Sequence, residues 1–410
     1  MYDIDDLSYK LFGNKIDYDL FDDTLFHFQS CVFKYPSVAF FNQLPLLVAL
    51  QIFVSALLAY PLYRLNVETI ITKNETSIML ISRTVFTFLF ALPFVFYQPI
   101  YVIRALDIHH IGLRMVLMTL PINGGLRILE SYFGFTSTLC SKHFSNYFAY
   151  FCCPFILKFD EKTEEPARAT MKYILEKLKM IGLYFIYTGS LMSILWHYDW
   201  ELLKIGPKVD SFDHSFRELV SWRHLINNYL VALTLSLGLQ QSTCGVSLLF
   251  TFAFGYQTED VVLSPMFKST SVSDFWGKRW NVSVHKGLKN GAYKPMRKLT
   301  NSRIMGALSA FIVSGIIHEY VNLVLFDVVE YKSKQVMFFC WNACLISLEY
   351  FLGSFESVQI IVTKIPKPFI TALVLCSALP VAHLFTGDWI VHGYFDAVMY
   401  AETTILCRSP

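Results

Sequence analysis

The sequence predicts an all-α, polytopic integral membrane protein of about seven to nine transmembrane helices. Three observations predict it. The 410-residue chain is 54% hydrophobic and only 16% charged, where a soluble domain carries roughly 25% charged residues. Its surface must therefore face something other than water, and the mean hydropathy of +0.43 says the same. Second, apolar runs recur at about the length a helix needs to cross a hydrocarbon core. Third, 37 Phe and 23 Tyr suit lipid-facing and interfacial surfaces. The net charge of +2 and the lack of a basic tail speak against nucleic acid as a partner.

Residues 1–43 form an acidic N-terminal segment that holds Asp3, Asp5, Asp6, Asp17, Asp19, Asp22 and Asp23. It lacks the basic start and short apolar stretch of a secretory signal. Residues 44–410 read as one multi-span domain. The expected spans are Leu44–Leu65, Ile78–Ile103, Met180–His197, Tyr229–Tyr256, Ile304–Phe326, Val336–Phe351 and Ile370–Phe385. Ile111–Phe135 reads as amphipathic or re-entrant, because Arg114, Asn123 and Arg127 interrupt it. Phe144–Phe159 is apolar but short, and Trp389–Leu406 is a weaker segment. No internal repeat or inverted pair of halves is visible, so a transporter signature is missing. Nine cysteines, several inside apolar runs, point to reduced buried thiols rather than a disulfide framework. Cys152 and Cys153, beside a membrane segment, are candidates for packing or for acylation.

Orientation follows from lysine and arginine. Residues 257–303 hold Lys268, Lys278, Arg279, Lys286, Lys289, Lys294, Arg297, Lys298 and Arg303 against Glu259, Asp260 and Asp274. This loop is expected to be cytosolic. The basic stretch Lys158–Lys179 falls on the same side by parity, as do Lys364 and Lys367.

The chemistry centres on His318, which lies with Glu319 in the 23-residue apolar run Ile304–Phe326. An ionisable residue inside a membrane span is a functional-site hypothesis by default. On a helix, Ser314, His318 and Asn322 form one polar stripe. Lipid cannot satisfy that stripe, so it must face a protein interior or a wet cavity. Glu319 is about 100° around the helix and is expected to bond a neighbouring helix and hold its own in place. An enclosed imidazole is favoured in its neutral form, which is the form a general base requires. The competing reading is a histidine that merely bonds between helices.

A second cluster is Phe275-Trp276-Gly277-Lys278-Arg279-Trp280-Asn281. Trp276 and Trp280 share a helical face, as in an interfacial helix with rings at headgroup level. Alternatively, Lys278, Arg279 and Asn281 receive a phosphate-bearing donor at a cavity mouth. Asn281 could also donate to a developing oxyanion.

These two clusters together resemble the membrane-bound O-acyltransferase superfamily, and most of all its wax synthase branch. Pro265-Met-Phe-Lys268, Ser273–Asn281 and Ala292-Tyr-Lys-Pro-Met-Arg297 are similar to the plant-type form of the motif. The specific match covers residues 265–322, and Lys278 stands where the family often has arginine. The resemblance implies helices enclosing an intramembrane catalytic chamber, an acyl-CoA co-substrate, a lipophilic alcohol acceptor and an endoplasmic reticulum membrane. It implies neither a bound cofactor nor a metal. His318 takes the family's catalytic histidine position and Asn281 its loop asparagine. Trp276, Lys278, Arg279, Trp280, Ser314 and Asn322 are the candidate substrate-binding residues. A long-chain fatty alcohol, giving a wax ester, is the first expectation for the acceptor. Sterols, diacylglycerol and terpenoid alcohols are alternatives. From another class, a His318–Glu319 proton relay in a transporter would explain the buried pair but not the tryptophan-flanked basic loop.

Other signals carry less. The His109-His110 pair lacks the further histidine boxes of a di-iron site, and no Cys/His spacing suits zinc. His383 lies in an apolar run as a packed or chamber-lining residue. His285 is expected to be solvated, and Asp274 to cap the helix holding Trp276. The sequons at Asn74 and Asn281 fall on the expected cytosolic side and are expected to be unused.

Overall fold

A computed structural model describes residues 25–28, 31–34, 38–73, 75–203, 214–327, 333–399 and 404–407. The nine principal helices, in chain order, are α1 (Phe40–Thr72), α2 (Ser77–Ala105) and α3 (Met171–His197), then α4 (Trp222–Phe254), α5 (Val282–Leu288) and α6 (Arg303–Phe326), and finally α7 (Lys334–Leu352), α8 (Lys367–Ala378) and α9 (His383–Val391). The protein is all-α and polytopic, as its composition requires. A small antiparallel sheet is added to it: strands Leu25–Phe28, Cys31–Lys34 and Thr404–Cys407 pair in that order. The expected boundary at residue 43 falls inside the helical run that begins at Val38. Most of the acidic segment lies outside the described residues.

Among the described residues five helices (α1, α2, α3, α6 and α7) are long and apolar enough to cross a membrane; a sixth span results if Glu356–Lys364 and Lys367–Val381, bent by 118°, are joined. That is fewer than the seven to nine expected, and the reasons are local. The expected span Tyr229–Tyr256 is part of α4, whose 33 residues reach about 50 Å at 1.5 Å per residue. Its buried Asn227, Asn228, Gln240 and Gln241 dilute its apolar character. Ile111–Phe135 breaks into Ile111–Leu117, a π-turn at Leu120–Gly124 and Gly125–Tyr132, with Asn123 and Arg127 buried. The Ile370–Phe385 run is interrupted at Leu379–Val381, where Pro380 sits. Phe144–Phe159 is helical only to Cys152. Trp389–Leu406 ends as two short helical pieces and a strand.

Helix ends follow their capping residues. Ser302 accepts from the Met305 N–H at 3.3 Å to begin α6, and Thr170 does the same for Tyr173 at 3.2 Å in α3. Gly255, at φ 70°, ends α4 in the left-handed region. The main core gathers Leu117, Leu195, Val231, Ile317, Leu325 and Phe339 from these helices. On α1 and α2, Leu46, Phe53, Ile78 and Leu89 are 61–77% exposed. Large apolar side chains left outward in that number mark the lipid-facing surface.

The basic stretches meet on one side of the molecule. Leu157 bridges to Thr258 and Arg168 to Tyr256. Lys177 pairs with Asp260 at 2.6 Å, and Lys286 with Glu259 at 2.7 Å. Cys152 and Cys153 are buried, so they are packing residues and are not presented for acylation. The seven cysteines at positions 140, 152, 153, 244, 340, 344 and 376 are free thiols.

Candidate active site

Helix α7 organises the candidate site. Its first N–H groups are orphans, as at any helix start. Glu319, on α6, accepts the N–H of Gln335 at 3.0 Å. The carboxylate thus fastens α6 to α7 one residue away from His318. The two helices approach so closely that a Cβ on Gly315 would lie 2.7 Å from the Val336 Cα.

Further along α7, Asn342 and Glu349 are seven residues apart and share one face. Both hold the tryptophan-bearing turn. Glu349 accepts the N–H groups of Val272 and Ser273 at 2.6 and 3.1 Å, and also the Ser273 hydroxyl. Ser271 caps the short helix Val272–Asp274, accepting from the Asp274 N–H at 2.9 Å. Asp274 accepts in turn from Thr270 N–H at 3.0 Å and from Arg279 Nε at 2.5 Å. Burial pushes the Asp274 carboxyl upward, but the Arg279 and Thr270 donors outweigh it and hold the carboxyl below its usual range.

Residues Phe275–Arg279 form a π-turn, not a regular interfacial helix. The wide turn aims Trp276 inward, where its indole N–H donates to Asn342 Oδ1 at 2.9 Å. Trp276 and Trp280 lie 6.0 Å apart, and Trp276 also packs on Phe311, Phe338 and Phe339. Trp276 is therefore a core anchor rather than a ring at headgroup level.

His318 joins the same aromatic cluster. Its imidazole stacks on Phe339 at 5.0 Å and 17°, and meets Phe385 edge-on at 4.9 Å and 73°. The ring is half-buried, and Nδ1 has no hydrogen-bond partner among the described residues. A small apolar pocket lies beside it, walled by Leu235, Met266, Trp276, Trp280, Phe338 and Phe385 among others. His318 itself is not in that wall. It stands one ring behind, next to Phe385.

The other expected residues divide. Ser314 and Asn322 are buried on the same helix as His318, and Asn322 Nδ2 reaches Asp388 Oδ2 at 3.4 Å. Lys278 is exposed. Arg279 is engaged inward, on Asp274 and on the Leu263 carbonyl at 3.3 Å. Asn281 is the N-cap of α5, accepting from the Val284 N–H at 3.2 Å. No hydrogen bond joins Asn281 to His318 among the described residues. His383 is buried and packs on His214 and His224 at 5.0 and 5.1 Å. His285 is half-buried rather than solvated, and burial, with Lys289 and Lys286 nearby, lowers its pKa to about 4. Among the described residues no group of three His, Cys, Asp or Glu side chains is placed to hold a metal ion. The capping half of the Asn281 sequon is occupied by structure, and its Ser283 is buried and bonded to Asn123 at 2.8 Å; Asn74 lies outside the described residues.

Sequence reasoning missed Asn342, Glu349, Lys334 and Asp388. The signal for the first two was present: polar side chains inside an apolar run mark its interior face. Nothing local could pair Lys334 with Asp388, 54 residues away.

Residues 260–341, which include Trp276, Asn281 and His318, match the membrane bound O-acyl transferase family. The chain is 40% identical over 83 residues to a probable long-chain-alcohol O-fatty-acyltransferase 9 of Arabidopsis thaliana, covering 18% of this chain and 24% of that protein. It is 39% identical over 72 residues to an acyl-CoA--sterol O-acyltransferase 1 of the same plant, covering 15% and 21%. It is 33% identical over 89 residues to a diacylglycerol O-acyltransferase 1 of Chlorocebus aethiops, covering 22% and 17%. The matches thus span about a quarter or less of these relatives' length. The segment that carries the π-turn and the histidine helix is thus similar to the membrane bound O-acyl transferase family and, within it, to probable and putative long-chain-alcohol O-fatty-acyltransferases.

Proposed function

We propose that this protein is an acyl-CoA-dependent O-acyltransferase that esterifies a lipophilic alcohol within the membrane, with a long-chain fatty alcohol as the first choice of acceptor. The observation that carries the reading is the shared aromatic cluster of Trp276 and His318 beside an apolar cavity. That cavity suits a hydrocarbon chain, and its few polar groups suit a single reactive end.

His318 acts as general base. It takes the acceptor's hydroxyl proton while the oxygen attacks the thioester carbonyl. The carbon–sulfur bond breaks, and the departing thiolate receives the proton back from the imidazolium. No covalent enzyme intermediate is required. A positioned base contributes roughly 10²–10⁴-fold, and confinement of two apolar substrates supplies much of the remainder. The cavity wall ends at Phe385, so the acceptor's hydroxyl would pass the edge of that ring to reach the imidazole beside it. The donor's phosphates would meet the basic loop, with Lys278 exposed for them; the inward pairing of Arg279 leaves it the task of shaping the turn. Asn281 would offer its Nδ2 from the helix cap. We place the protein in the endoplasmic reticulum membrane with residues 257–303 in the cytosol. A proton-transport role for His318 with Glu319 draws no support from the geometry, since Glu319 is committed to the start of α7.

Incubating membranes with labelled acyl-CoA and a panel of fatty alcohols, sterols, diacylglycerol and terpenoid alcohols tests the reading. Ester product with a fatty alcohol is expected. His318→Ala should insert normally and lose at least about 10²-fold in rate. A variant that keeps most of its activity would remove the histidine mechanism.

A further inference from the structure

An ion pair between a buried lysine and a part-buried aspartate is tied to the His318 helix through Asn322, one turn along it, and is used nowhere in that mechanism. Lys334 is 2% exposed, and its Nζ donates to Asp388 Oδ1 at 2.7 Å. The second carboxylate oxygen of Asp388 receives Asn322 Nδ2 at 3.4 Å. Three helices meet at this point: Asn322 is on α6, Lys334 on α7 and Asp388 on α9. Next to Lys334, Gln335 donates its side-chain N–H groups to the carbonyls of Leu384 and Phe385 at 3.3 and 3.1 Å, while its own backbone N–H goes to Glu319. The two α7 residues therefore grip α9 at Phe385 and again three residues later at Asp388. Phe385 is the ring that meets the His318 imidazole edge-on.

A buried charge such as that of Lys334 is costly unless paired and bonded, and an apolar pair of the same volume is often as stable or more so. The pair is thus not explained by stability. Proton export does not explain it either, because acyl transfer returns to the thiol the proton it takes from the alcohol. Nor does donor binding: Lys334 is fifteen residues from Glu349, about 22 Å along α7, at the end away from the basic turn.

We propose that Lys334 and Asp388 are positioning residues that lock α9 against α6 and α7, and so fix Phe385 against the imidazole of His318. The proposal rests on the acyltransferase reading for its kinetic consequence only. A displacement of about 1 Å at a reacting group can cost about 10²-fold in rate, so the loss should fall on kcat rather than on KM.

The test compares Asp388→Asn, Lys334→Met and the apolar double variant Lys334→Met/Asp388→Leu with wild type. Glu164→Gln, which removes an exposed ion pair to Lys142, serves as the control. Three quantities are read: thermal melting in detergent, kcat and KM with acyl-CoA and a long-chain alcohol, and the rate at which diethyl pyrocarbonate modifies His318, followed by mass spectrometry. The double variant is decisive, since each single variant breaks the pair while keeping the other charge in place. It should melt near wild type, lose about 10²-fold in kcat with KM changed less than about threefold, and show His318 modified about tenfold faster. A double variant that folds with wild-type kcat and an unchanged modification rate would overturn the proposal. If wild type makes no ester, the acyltransferase reading fails, while the modification rate still decides whether the pair holds the histidine's surroundings.

Discussion

Between Phe339 and Phe385, the imidazole of His318 is held by ring contacts, and its Nδ1 has no hydrogen-bond partner among the described residues. Its position therefore depends on how firmly those rings are placed. The polar stripe of Ser314, His318 and Asn322 was legible, because i and i+4 positions on a helix must share a face. What Asn322 touches was not, since Asp388 belongs to another helix. His285 is a second case: its neighbours in sequence are basic and polar, yet folding encloses it. Its pKa is lowered to about 4 by burial, with Lys289 and Lys286 adding to the effect. The unfolded chain binds a proton near the ordinary value of roughly 6.5, and the folded chain does not until about pH 4. Between those values the unfolded state holds more protons, so stability rises with pH across the window and is lost as pH falls. His285→Gln should flatten that acid limb in melting experiments run from pH 7 to pH 4. A variant with the same acid sensitivity as wild type would show that His285 is accessible to protons in the fold.

At the scale of elements, α7 is the part the sequence undersold. It reads as a plain span over Val336–Phe351, yet it carries Asn342 and Glu349 to the π-turn and offers the Gln335 N–H of its first turn to Glu319. The reach of the π-turn itself was hidden, because the spacing of Trp276 and Trp280 fits an ordinary amphipathic helix equally well. Helix α6 depends on a glycine where it crosses α7. In Gly315→Ala the new methyl would lie 2.7 Å from the Val336 Cα and 3.2 Å from its nitrogen, contacts that backbone cannot relieve by a rotamer change. Overpacking of this kind costs about 1–3 kcal/mol. The expected outcome is a lower melting temperature together with reduced ester synthesis, as α7 and its Phe339 are pushed from His318. Unchanged melting and rate would mean that the helices separate freely at this crossing.

For the whole molecule, the exposed apolar side chains of α1 and α2 mark a lipid-facing belt, and the bridged basic stretches gather on one side. The proposed orientation predicts that Lys278→Cys, exposed on the basic loop, reacts with a membrane-impermeant maleimide in sealed microsomes whose cytosolic face is outward. Native Cys344 and Cys376, also exposed in the fold, are replaced by serine in that experiment. Labelling only after detergent would invert the topology and move the donor site to the lumen. Fewer helices pass as spans than apolar runs suggest, because Pro380 breaks one run and the polar face of α4 is paid for by burial.

Membrane residence, the helical class and the histidine helix were determined by the sequence itself. Lipid imposes its demands on every residue separately, through composition and through satisfaction of each backbone group inside its own helix. The family segment likewise lies in one continuous stretch of chain. Only the tertiary structure decided that Trp276 and His318 share a cluster, that Arg279 turns inward, that Asn281 caps a helix, and that Lys334 meets Asp388. Those outcomes depend on contacts between segments far apart along the chain, where the burial of one polar group is settled by a partner that no local pattern names.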